Sequence, residues 1–199
     1  MGAVEARGEL PEDLPLVFRF SEVLASGVPE GRLRRWVAAG LVERLGPGTY
    51  RRAGAEFVDR DRAEVALRAP EATICLVSAL VEHDLVDDNP GWLDVAVPRG
   101  QWRPSVASPV RWHSFAVDTF EVGRDLVPVG GGVTIGLYEP RRCLIDVFRL
   151  RHEVGPEVGV EALRRWLRRP GSQPGQLLDM ARAFPRAVPS LTAALQVLL

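Results

Sequence analysis

The sequence predicts a mixed α/β (α+β) chain: a small N-terminal module of two helices and a hairpin, then a domain with a small mixed sheet and a helical C-terminal half. Three observations predict it. Residues 31–52, "GRLRRWVAAGLVERLGPGTYRR", hold six arginines against the single acid Glu43, a local charge of +5 in a chain whose formal net charge is −1. Helix-start and glycine-stop signals in that stretch succeed one another at short intervals, as in helix, turn, helix, hairpin. From Pro140 onward the apolar period becomes helical and stays so to the end.

The first helix is short. Ser21 can cap it at its N-terminus, Glu22 lies in its first turn, and Ala25 ends it before Ser-Gly-Val. Pro29 suits the first turn of a second helix, which runs to about Ala39 and stops at Gly40. "LVERL" and "TYRR" flank Gly46-Pro47-Gly48 and read as a two-stranded hairpin with a glycine-rich turn. This is the layout of a winged helix-turn-helix. Ahead of it, "ELPEDLPLVFRF" has two prolines, so that segment is expected to be a short helix or extended.

At about 100° per residue, Leu33, Val37 and the flanking Trp36 share one face of the second helix. Arg32, Arg34 and Arg35 spread over the opposite arc, whose centre holds Gly31, Ala38 and Ala39. Small residues between arginines let such a face approach a phosphate backbone, with guanidinium groups reaching to both sides. A solvated amphipathic helix gives the same wheel. The hairpin arginines Arg44, Arg51 and Arg52 directly after it turn the pattern into an electrostatic footprint on two adjoining elements.

"RAEVALRA" reads as a helix, and "ATICLVSALVEHDLV" begins apolar and continues as a helix through about His83. "WLDVAVP", "PVRWHSFAV" and "GVTIGLY" read as strands, Pro98 ending the ladder of the first. Helices follow in "PRRCLIDVFRLR", "VGVEALRRWLRR", "PGQLLDMARAF" and "PSLTAALQVLL". Arg99, Trp102 and Arg103 form a basic loop after a strand, a possible further contact for nucleic acid or a partner. The charge is +1 over residues 1–55 and −2 over 56–199, and the polar run "RAGAEFVDRDR" places the boundary near residue 56. The expected domains are therefore 1–56, the DNA-binding module, and 57–199.

Composition excludes several chemistries. All 25 basic residues are arginine, which a GC-rich coding sequence also produces. Without lysine there is no Walker A loop, no lysine Schiff base and no kinase lysine. Cys75 and Cys143 sit in apolar runs and read as buried, reduced thiols. His83, His113 and His152 show no metal-ligand spacing, so neither metal nor cofactor is expected. Asp94, Glu139 and Asp146 are the carboxylates a Mg²⁺-dependent nuclease would use, but no lysine completes such a site. Asp146 sits where a helix would expose it or cap with it. No apolar run approaches the ~20 residues of a membrane span, and the start "MGAVEARGELPEDLP" has no signal-peptide core. The chain is expected to be cytoplasmic.

The motifs resemble those of the AbiEi antitoxin family of bacterial abortive-infection toxin–antitoxin pairs. Gly27-Val28, Gly40-Leu41 and Gly48-Thr49-Tyr50 follow that family's order. Downstream, "LVSALVEHDLV" is similar to its Ser-Ala-Leu helix, "LDVAVPRG" to its strand ending in Val-Pro-Arg-Gly, and "EPRRCLIDVFRL" to its Pro-x-Arg-x-Leu-x-Asp helix. The similarity spans roughly residues 20–170, and the tail after about Gly171 lies outside it. The resemblance implies an antitoxin without enzymatic activity. It would neutralise a co-encoded nucleotidyltransferase-like toxin and repress its own operon by binding an inverted repeat in double-stranded promoter DNA. By position, Arg32, Arg34 and Arg35 would lie in or beside the major groove. Arg44, Arg51 and Arg52 would touch phosphate or the minor groove, and Tyr50 would anchor the wing in the core. The alternative is a protein-binding module whose winged helix does not bind DNA.

Overall fold

The computed structural model of the chain describes residues 10–54, 59–88 and 90–199. It divides into two compact units, Met1–Pro70 with Pro104–Ser108 and Pro128–Ile135, and Glu71–Arg103 with Pro109–Val127 and Gly136–Leu199. The boundary expected near residue 56 lies outside the described residues.

The first unit begins with strand β1 (Val17–Arg19), helices α1 (Phe20–Ala25) and α2 (Glu30–Ala38), and the hairpin β2 (Val42–Gly46) and β3 (Thr49–Arg52). The two-proline segment therefore leads into a strand and not a helix. β1 pairs antiparallel with β3, and β3 with β2, in the order β1-β3-β2. Helix α1 starts two residues earlier than the sequence suggested. Arg19 is its N-cap, Ser21 lies inside it, and Glu22 reaches back to accept from the Arg19 N–H.

Helix α2 ends in a Schellman motif. Leu41 N–H donates to Trp36 C=O and Gly40 N–H to Val37 C=O, with Gly40 at φ +70°. A side chain at Gly40 would be strained there, which is why the helix stops at this glycine. Gly48 at φ +69° closes the wing turn for the same reason. Leu14, Phe18, Val23, Val28, Leu33, Trp36 and Val42 form the core of this unit. Burial of each such side chain contributes about 1.5–3 kcal/mol. Val37, read as a core residue, instead stays 37 % exposed. The buried face of α2 is centred between Leu33 and Trp36, and Val37 falls on its edge toward the wing.

Helix α3 (Arg60–Arg68) packs on β1 and β2. Asp59 caps it by accepting from Arg62 N–H. Its buried Glu64 accepts from the backbone N–H groups of Ala107 and Ser108 and from the Ser108 hydroxyl, so the carboxylate is satisfied without a cation.

A second sheet is ordered β6-β5-β4-β8-β7, and residues 128–135, at the end of β7 and the start of β8, belong to the first unit. The strands of this sheet are β4 (Thr73–Ile74), β5 (Leu93–Pro98), β6 (Val110–Phe115), β7 (Arg124–Gly130) and β8 (Val133–Tyr138). β4 is antiparallel to β5 and parallel to β8, and β5 is parallel to β6. Helices α4 (Leu76–Glu82), α5 (Pro140–Arg149), α6 (Arg151–Val154), α7 (Pro156–Leu167), α8 (Pro174–Ala181) and α9 (Val188–Leu198) complete the second unit. Pro140, Pro156, Pro174 and Pro189 each stand in a first turn, where no backbone hydrogen bond is lost. α5 is central, packed against α4, α7, α8 and α9. Cys75 and Cys143 are buried free thiols whose pKa burial pushes well up. No helix among the described residues is long and apolar enough to cross a membrane.

Candidate nucleic-acid interface

Helix α2 presents three kinds of surface. Leu33 and Trp36 face the core, Gly31, Arg34, Arg35 and Ala38 face outward, and Glu30, Arg34 and Val37 line the side toward the wing. The six arginines predicted from sequence are all on α2 or the wing, but they are not equivalent.

Arg32 is half-buried, with no acidic partner among the described residues, and Arg35 only reaches back to the Gly31 carbonyl in its own helix, 3.2 Å away. Arg34 pairs with Glu30, 2.5 Å away, although both side chains are mostly in water at 79 % and 54 % exposure. Arg44 donates through Nε to Gly46 C=O, and its two Nη groups have no partner among the described residues. Arg51 makes a two-pronged contact with Glu43, its cross-strand partner, at 2.7 and 2.9 Å. Arg52 donates to the carbonyls of Leu14, Pro11 and Glu12 and so ties the leading segment to the wing. Arg60, at the start of α3, donates to the Arg44 carbonyl and is exposed, so it adds a seventh guanidinium beside the wing. It falls inside the polar run at 52–62, which marked a domain boundary in the sequence and not part of the basic footprint.

An open crevice of about 430 Å³ separates α2 from the wing. Phe20, Leu33, Val37 and Tyr50 form its apolar wall, and Glu30, Arg34 and Arg44 its polar rim. Tyr50 is stacked on Phe18, ring centroids 5.9 Å apart, which anchors it as expected while leaving one edge in the crevice. The helical wheel gives no sign of this crevice, because it sets Val37 on the same face as Leu33 and Trp36.

Arg99, Trp102 and Arg103 belong to the second unit, in the exposed loop after β5. Arg103 donates to the Ser114 hydroxyl at 2.7 Å. The carboxylates weighed for metal binding are engaged elsewhere. Asp94 pairs with His113 at 2.8 Å, and Glu139 with Arg141 at 3.0 Å. Asp146 is not exposed and caps nothing: it is fully buried between Arg142 and Arg149, both at 2.8 Å. Its burial raises its pKa, a shift that the two guanidiniums oppose without reversing. Among the described residues no three His, Cys, Asp or Glu side chains converge as a metal site.

A short helix, a tight turn and a second helix, followed by a two-stranded hairpin, give the first unit a helix-turn-helix-like layout. Residues 15–53, which contain all of it, match the model of a family described as "Transcriptional regulator, AbiEi antitoxin". Over that segment the chain is similar to the family its motifs pointed to, and the match supports a role as an antitoxin and transcriptional regulator. The fold is also similar to the crystal structure of the RV2827C protein from Mycobacterium tuberculosis. That likeness has a TM-score of 0.56 and 16% identity, covering 92% of this chain and 73% of the other. No curated protein matches the sequence significantly.

Proposed function

We propose that this protein is an antitoxin that binds promoter DNA through α2 and the wing, represses its own operon and neutralises a co-encoded nucleotidyltransferase-like toxin. The observation that carries the DNA-binding part is the outward face of α2. Gly31 and Ala38 leave room for close approach, and Arg34 and Arg35 flank them. Among the described residues Arg32 and Arg35 have no acidic partner, and the Nη groups of Arg44 on the wing have no partner. α2 enters the major groove, where Arg35 and Arg32 pair with base edges, and the wing holds phosphate or a narrow minor groove through Arg44, Arg51 and Arg52. The protein acts by binding and not by catalysis. Residues 1–56 carry the DNA site, the remainder carries toxin neutralisation, and Arg99 and Arg103 contact nucleic acid or the toxin. It works in the cytoplasm, where its operator, an inverted repeat upstream of its gene, is found. Titrating labelled upstream duplex against scrambled duplex tests this reading, and preference for the upstream sequence is the expected result. Toxicity of the adjacent gene product, relieved by residues 57–199 but not by 1–56, tests the second part.

A second reading has its own support. Two of the six arginines are held by Glu30 and Glu43 and a third by backbone carbonyls, so less charge is available than the sequence count suggests. A winged helix with that balance can serve as a dock for a protein. Equal, weak binding to both duplexes favours this reading.

A further inference from the structure

The crevice between α2 and the wing is placed and lined for one kind of occupant. Glu30, Arg34 and Val37 recur at helical spacing along the flank of α2 that faces the wing. Arg44 and Tyr50 are cross-strand partners and meet them from the other side. When a helix occupies the major groove and its wing reaches beyond that groove, one sugar–phosphate strand must pass between the two. The chemistry of the walls suits that strand. Two guanidiniums at the rim complement an anionic phosphate, and the apolar floor of Val37 and Tyr50 complements the C–H faces of a deoxyribose. Stacking on Phe18 holds the Tyr50 ring in place before any ligand arrives. Arg44 has open Nη donors.

Among the described residues Glu30 is the one acid at this rim. It is bound to Arg34, but both side chains stand largely in water, so the pair is weak and a phosphate can take the carboxylate's place.

We propose that the crevice seats a single sugar–phosphate strand of the duplex, with Arg34 and Arg44 gripping one phosphate and Val37 and Tyr50 packing on its sugar. The inference rests on the DNA-binding reading above. Glu30 then acts as a brake on affinity, since its carboxylate competes with that phosphate for Arg34.

The test uses the full chain and duplexes selected by it from a random-sequence pool, with one phosphate at a time replaced by an uncharged methylphosphonate. Neutralising the seated phosphate is expected to weaken wild-type binding about tenfold. Arg34→Ala and Arg44→Ala each weaken the unmodified duplex to a similar degree, and each becomes insensitive to neutralisation at that one position while staying sensitive elsewhere. Glu30→Gln tightens binding, and Val37→Glu abolishes it without lowering the melting temperature. If duplexes are selected and bound but no single phosphate is coupled to both arginines, the inference is wrong and the DNA-binding reading survives. A Val37→Glu variant that binds every duplex as the wild type does also overturns it, and assigns the crevice to a protein partner. If the pool yields no preferred duplex, the DNA-binding reading itself fails, and the seat fails with it.

Discussion

Arg142 and Arg149 on α5 and the arginines of α2 and the wing are one residue type in opposite situations. Arg142 is fully buried, its Nε 2.8 Å from Asp146 Oδ2 and its Nη1 donating to the Thr119 and Val122 carbonyls at 2.7 and 2.6 Å. Its guanidinium lies 4.1 Å from the centre of the Tyr138 ring and 4.4 Å from that of Phe184. Arg149 adds a second hydrogen bond to Asp146 and stacks over Phe115 at 4.7 Å. A charge removed from water must find such partners, and once it has them it is committed to the fold. On α2 the charges stay at the surface, and among the described residues Arg32 and Arg35 have no acid to satisfy them. The difference separates arginines that hold the protein together from arginines that remain available to a ligand. Composition counts both alike.

The comparison breaks most visibly at Arg142. Arg142→Ala leaves the Asp146 carboxylate buried beside one remaining cation and is expected to cost about 3–5 kcal/mol in urea unfolding. Replacing the pair together, Arg142→Met with Asp146→Leu, should recover most of that loss, because no buried charge is then left unmatched. A double variant as unstable as the single one would show that the ion pair is not the source.

Arg52 sits between the two extremes, on the wing but bound to backbone. Arg52→Ala is expected to destabilise the first unit by about 1–3 kcal/mol, since the Leu14 and Pro11 carbonyls lose a charged donor. Arg35→Ala should change stability by less than about 0.5 kcal/mol. Thermal melts of the two variants side by side measure the contrast, and equal melts would remove it.

In binding, the order reverses. Arg35→Ala should weaken the preferred duplex about tenfold while leaving scrambled duplex nearly unchanged, as loss of one base contact does. The smallest effect belongs to Glu43. Its contact with Arg51 is partly exposed, so Glu43→Gln should free that guanidinium and tighten binding to any duplex by about two- to threefold. Titrations at two salt concentrations resolve both, and a Glu43→Gln variant with weaker binding would mean that Arg51 needs its partner for orientation.

Elements whose signals are local were legible in the sequence. Gly40 and Gly48 announced the end of α2 and the wing turn because only glycine takes those backbone angles without strain. The helical apolar period from Pro140 onward announced the C-terminal helices. What depends on distant packing was not legible. A helical wheel places Val37 beside Leu33, yet the exposure of Val37 is decided by where the wing lies. β7 escaped notice because Asp125 and Pro128 interrupt its apolar pattern, although its neighbour β8 was plain. The burial of Asp146 did carry a signal that was passed over. Cys143, Leu144, Ile145, Val147 and Phe148 surround it on α5, and a helix apolar on every side takes its charged residues inside with it. For the arginine cluster the sequence located the footprint but not its partners, since Glu30 stands one residue before the basic run and Glu43 meets Arg51 only across the hairpin.

The central claim, that the α2 and wing arginines form a sequence-selective DNA surface, is tested most directly by the salt dependence of binding to the duplex upstream of the gene and to its scrambled counterpart. The account predicts tighter binding to the upstream duplex, with a slope of log affinity against log salt of about −3 to −5, as three to six neutralised phosphates give. Equal and weak affinity for the two duplexes across the salt range would contradict it.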